Sequence, residues 1–306
     1  MGRLYVGTCS WTDPTLISSG QFYPPSARTA ADRLRFYAAN FPTVEVDSSF
    51  YALPSFRNSE LWAERTPPGF LFHVKAFGLF TLHAAEVRAL PKEVQAELPE
   101  DAQEKRRIYL KDVPDELALE LWRRFRDALT PLSSAGKLGV VLFQFPPWFN
   151  PSEDSLGHIL TCQERLPEYQ LAVEFRNDRW LSEERRKSTL QFLERHGLTF
   201  VAVDAPQGFR SSVPPIAAAS SAIAYIRFHG RNRETWDKRT VSVAERFNYY
   251  YSDDELQEWV PPLRQLQERT RAVYAMFNTN YGDQGVVNAR RLAGQLGQEV
   301  AQPQLL

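Results

Sequence analysis

Leu171-Ala172-Val173-Glu174-Phe175-Arg176 is the stretch whose reading decides the fold. It starts as a buried strand and ends with an acid and a base two positions apart. Side chains alternate along a strand, so Glu174 and Arg176 share one face while Val173 and Phe175 share the other. A buried strand must pair such charges or turn them toward a ligand. Downstream, residues 182–196 carry a helical pattern stopped by Gly197, and 198–204 form the next strand. Upstream, 137–145 is a strand ended by Pro146-Pro147, and 152–166 is a helix.

The same alternation runs through the rest of the chain. Strands are expected at 4–9, 43–47, 70–75, 222–229 and 271–278, and helices at 27–40, 55–65, 114–129, 253–270 and 283–296. Residues 216–221 suggest one helical turn. Ser252 with Glu255 three residues on reads as a capping box for 253–270. The total is eight strands, nearly all followed by helices, which implies parallel pairing through right-handed crossovers. The expected fold is therefore α/β, a closed (β/α)8 TIM barrel. It forms a single domain over 1–297, with a tail at 298–306. Residues 77–111 interrupt the rhythm after the third strand. They read as a charge-dense helical excursion, and a connection of that length is usually a lid or binding loop.

Composition narrows the function classes. The chain has 306 residues, 43% hydrophobic and 24% charged, with a net charge of -1. A chain of that length can bury a large core. Its near-neutral charge argues against coating nucleic acid or anionic membrane by bulk electrostatics. Two cysteines, Cys9 and Cys162, make no disulfide framework and show no metal spacing, so a cytoplasmic setting is expected. No window is apolar enough to span a membrane, and no signal-peptide pattern opens the chain. Neither a Gly-x-Gly-x-x-Gly after a strand nor a Walker-type loop is present, so no nucleotide cofactor is expected.

In a TIM barrel, chemistry sits at the C-terminal ends of the strands. Those ends supply Glu45 and Asp47, His73 and Lys75, Gln144, Glu174 and Arg176, Asp204, Arg227 with His229 and Arg231, and Asn278. Trp11 and Tyr51 follow strand ends as aromatic walls. So many polar groups on one rim point to a site rather than to core pairs. Mixed cations and carboxylates suit a small polar, anionic or phosphorylated ligand. Arg176, Arg227, Lys75 and Arg231 would bind charge, and Glu174, His229 and Asp204 would do acid/base work. Of five histidines, His73 and His229 fall near the rim with Glu174 and Asp204. Arg176, Arg227 and Lys75 crowd a cation there, so no metal is expected.

Several motifs carry a family resemblance. Gly7-Thr8-Cys9-Ser10-Trp11, Phe22-Tyr23-Pro24, Val44-Glu45-Val46-Asp47-Ser48-Ser49-Phe50-Tyr51 and Phe72-His73-Val74-Lys75 resemble the YecE-like family, also called domain of unknown function 72. So do Thr81-Leu82-His83, Gln144-Phe145-Pro146-Pro147, Val173-Glu174-Phe175-Arg176, Arg227-Phe228-His229-Gly230-Arg231 and Phe277-Asn278-Thr279-Asn280. The match covers nearly the whole chain. It implies a TIM barrel without an assigned activity. Two departures stand out: Asp47 where the family pattern has Asn, and Thr279 between Asn278 and Asn280.

The leading expectation is an enzyme on a small anionic substrate. The second is a nucleic-acid-binding or -processing protein, using Arg231, Arg233 and 105–107 on phosphates with tyrosines for stacking. The third is a non-catalytic binding barrel. Oligomeric state is left open by the sequence.

Overall fold

The computed structural model describes residues 1–238 and 242–298. Its eight barrel strands are β1 (Arg3–Cys9), β2 (Thr43–Val46), β3 (Leu71–Lys75), β4 (Leu138–Gln144), β5 (Leu171–Glu174), β6 (Thr199–Asp204), β7 (Ile223–Phe228) and β8 (Ala272–Phe277). They are all parallel, in the order β1-β8-β7-β6-β5-β4-β3-β2, and the sheet closes on itself. The single-domain barrel expected from the alternation is therefore present.

The outer layer departs from the sequence reading in places. The helix predicted at 253–270 is two, Asp253–Gln257 and Val260–Arg269, because Pro261 and Pro262 have no N–H to continue the first. No helical turn forms at 216–221. There the Ser220 hydroxyl donates to the Leu198 carbonyl and accepts from the Phe200 N–H, tying the segment along the start of β6. The helix predicted from 27 starts at Ala30, where Thr29 and Asp32 form a capping box. That predicted from 182 starts at Arg186. The tail predicted at 298–306 lies, beyond residue 298, outside the described residues.

The insertion is not a solvated helical excursion. Helices Lys92–Glu97 and Glu100–Gln103 lie in the chain between two short strands, Ala85–Glu86 and Arg107–Ile108, that pair antiparallel. Val94, Leu98, Ala102 and Ile108 bury an apolar face against the barrel's core cluster. Its charges mostly pair locally, Lys105 with Asp101 and Asp112, and Arg88, Arg106 and Arg107 with Glu86.

Strand register decides what fills the barrel. Tyr5, Tyr274 and Tyr225 lie side by side across β1, β8 and β7 and turn inward. The His73 ring packs edge-on between them, 4.3 Å from Tyr274 and 5.0 Å from Tyr225. His73 Nδ1 accepts the Val140 N–H at 3.1 Å, where the β3–β4 ladder shifts register. Gly139 makes this approach feasible, since a Cβ there would lie 2.4 Å from the imidazole. Among the described residues, no helix is long and apolar enough to cross a membrane.

Candidate functional site

Glu45, Arg227 and Glu174 come from β2, β7 and β5 and meet in the barrel axis, all sealed from solvent. Arg227 Nη2 donates to Glu45 Oε1 at 2.6 Å and Nη1 to Glu174 Oε2 at 2.7 Å. Tyr225 donates its hydroxyl to Glu45 Oε2 at 2.8 Å. The other Glu174 oxygen receives Gln144 Nε2 at 2.6 Å, His229 Nε2 at 3.0 Å and Arg176 Nη1 at 3.4 Å. The His229 tautomer follows from its neighbours. Asn280 donates to Asn278 Oδ1, which leaves the Asn278 amide to donate to His229 Nδ1 at 2.9 Å. The imidazole proton then sits on Nε2 and faces Glu174.

Each group's charge follows from this wiring. Burial pushes the Glu174 carboxyl up, but Arg227, His229 and Arg176 outweigh it and hold the pKa well below 4.5. Burial lowers His229 to about 3 against the pull of Glu174, so the ring is neutral. Glu45 is pushed up to about 7 by burial, with Arg227 opposing and Asp47 adding. Burial lifts the Cys9 thiol well above 9.0, so it stays protonated.

Above this floor opens a cavity of about 900 Å³ at the C-terminal mouth. Asp47, Lys75, Gln144, Arg176, Tyr51 and Asn278 line it, six of the residues expected from strand ends. Lys75 Nζ lies 3.5 Å from Asp47 Oδ1 and 4.5 Å over the Phe50 ring. Arg176 stacks 4.8 Å from the Trp236 ring. Among the described residues, its Nε and the Nε of Arg246 are both buried without an acceptor.

The other expected residues lie elsewhere. Glu45, Glu174, Arg227 and His229 form the sealed floor below the cavity. His73 lies among the tyrosines of the barrel interior. Trp11 is 5% exposed and packs edge-on against Trp62 and Phe72. Asp204, expected to do acid/base work, faces outward. It is level with Phe228, one position out of phase with inward-facing Arg227. Its oxygens are taken by Tyr251, Trp259 and Arg231. Arg231 is thereby committed to Asp204 and Glu258 rather than to the cavity. Of the four groups weighed for a metal, only Glu174 and His229 meet.

A different set, Cys9, Glu45 and Asp47, has ligand-type atoms within 4.8 Å of one another. Arg227 Nη2 lies 2.6 Å from Glu45, 3.7 Å from Asp47 and 3.7 Å from Cys9 Sγ. The guanidinium thus fills the place a metal ion would take, and the protonated thiol is a poor ligand. Sequence reasoning missed His83 and Arg246 as lining residues, and it named Arg107, which also lines the cavity, only in the 105–107 run expected to meet nucleic-acid phosphates. All three lie between barrel strands, where no periodic pattern announces direction; the Thr81-Leu82-His83 motif marked one of them.

A family model described as "Protein of unknown function DUF72" matches residues 5–305. The UPF0759 protein YunF of Bacillus subtilis (strain 168) is 33% identical over 294 residues, 94% of this chain and 93% of that protein. A crystal structure of a DUF72 family protein from Thermotoga maritima (TM1631) is 30% identical, with a TM-score of 0.74 over 97% of this chain and 100% of that one. Another, from Enterococcus faecalis V583 (EF0366), shares the fold at 22% identity, with a TM-score of 0.75 over 98% of this chain and 99% of that one.

Proposed function

The chain belongs to the DUF72 family, and we propose that its barrel mouth binds a small anionic, phosphate- or carboxylate-bearing substrate for acid/base chemistry. The observation that carries this reading is the set of four cations, Lys75, Arg107, Arg176 and Arg246, that line one cavity. Such a cluster of guanidinium and ammonium donors favours an anion that accepts from several of them at once. Glu174 holds Arg176 in place from below, and the Trp236 face holds it from the side. Asp47 and Asp13 are the carboxylates that line the cavity, while Glu174 and His229 serve it indirectly as a fixed electrostatic floor.

Titration calorimetry with inorganic phosphate at low ionic strength tests this. Saturable binding is expected, weakened by added salt and weakened about tenfold or more in Arg176→Met. The absence of saturable heat would overturn the reading. A second reading, single-stranded nucleic acid across the rim, draws on Tyr51 at 64% and Trp148 at 58% exposure, both on βα loops. Oligonucleotide binding that falls steeply with salt would favour it.

A further inference from the structure

His83 is the one histidine lining the cavity among the described residues. It enters from the insertion directly after Leu82, whose φ of 62° is left-handed. A leucine holds that conformation only where its surroundings enforce it. The ring is fixed as firmly as the backbone. Thr81 Oγ1 gives its proton to the Gly78 carbonyl at 3.1 Å, so it accepts from His83 Nδ1 at 2.9 Å. Phe50 and Trp148 pack against the ring at 5.0 and 5.7 Å. The other nitrogen, Nε2, makes no hydrogen bond among the described residues, and the residue lines the cavity.

The charged groups around it matter. Burial, then Lys75 and Arg176, lower the His83 pKa to about 4, so the ring is neutral. Arg107, Arg246, Asp47 and Asp13 line the same cavity. The four cations can only donate hydrogen bonds. Asp47 already faces Lys75 and Arg227. A ligand held by those cations through an anionic group, and carrying a hydroxyl, needs an acceptor that does not repel it. His83 Nε2 is such an acceptor.

We infer that His83 reads a hydroxyl group, and that the cavity takes an anion bearing one, as in a hydroxylated phosphate ester. The inference rests on the anion site proposed above. The test compares methyl phosphate with glycerol 3-phosphate by calorimetry, using the full chain and His83→Ala. Glycerol 3-phosphate is expected to bind about three- to tenfold tighter, the worth of one neutral hydrogen bond. His83→Ala should erase that gain, so that the two esters bind alike to the variant. Equal binding of the two esters, or a preference that survives His83→Ala, overturns the inference and leaves the anion site standing. Binding of neither overturns both. Imidazole ¹⁵N NMR of the unaltered protein is an independent arm: His83 is expected neutral with its proton on Nδ1 at neutral pH, and a proton on Nε2 overturns the inference.

Discussion

Arg227 Nη1 lies 2.7 Å from Glu174 Oε2, with both side chains fully enclosed by the barrel. The same guanidinium holds Glu45, so one cation is shared by two buried carboxylates. Arg227→Met takes that cation from both acids and is expected to cost about 3–5 kcal/mol. Adding Glu174→Gln removes one stranded charge, so the double variant should be more stable than the sum of the single losses implies. Urea denaturation of the four proteins measures this. Strictly additive losses would mean the two residues are not coupled.

The buried titratable groups set an acid limit on stability. His73, His83 and His229 have pKa values near 3, 4 and 3, below the ordinary 6.5. Their contribution is complete above 6.5 and is lost as pH falls. Glu45 acts oppositely: its pKa near 7 against an ordinary 4.5 gives a contribution present below 4.5 and lost as pH rises through 7. Between those limits the unfolded chain takes up protons at these three histidines and at His158, whose pKa burial also lowers, while the folded protein takes up one at Glu45. The expected net loss toward acid is about 3 kcal/mol per pH unit or more. Glu45→Gln deletes the opposing contribution, so its acid loss should be steeper and its relative stability should improve from about pH 5 to about pH 7. Urea midpoints across that range decide it; a shallower acid loss in Glu45→Gln would contradict the assignment.

Gly139 is required by the ring it faces. A Cβ at this position would lie 2.4 Å from the His73 imidazole, which is pinned by the Val140 N–H and two tyrosines. Gly139→Ala is expected to destabilise by about 1–3 kcal/mol through overpacking. Thermal unfolding checks it. The double variant Gly139→Ala/His73→Ala should lose the clash, and a deficit that persists would place the strain elsewhere.

The barrel was legible because its signal is long-range and redundant: eight apolar runs separated by helical patterns leave little else to build. The site was legible only as far as strand parity can be read. Glu45, Glu174 and Arg227 fall on one inward phase, and the polar residue in an apolar strand betrayed them. Asp204 looked the same in sequence but lies out of phase with Arg227, so it faces the outer shell. Parity at a strand's last residue depends on register with neighbours, which a lone segment does not carry. His83 and Arg246 sit on loops whose direction is set by packing: the left-handed Leu82 turn for one, and a short helix, Val243–Arg246, for the other.

That difference in placement separates two kinds of arginine. Arg176 and Arg246 line the cavity, whereas Arg231 is spent on Asp204 and Glu258. Arg176→Met or Arg246→Met should weaken inorganic phosphate binding by about tenfold or more, the worth of a hydrogen bond to a charged group. Arg231→Met should leave phosphate affinity within about twofold and instead lower stability by about 2 kcal/mol, because Asp204 is stripped of its cation. Calorimetry and urea denaturation on the same three variants read both quantities. A loss of phosphate affinity in Arg231→Met that matches the other two would show that the anion sits outside the cavity, over the β6–β7 edge of the rim.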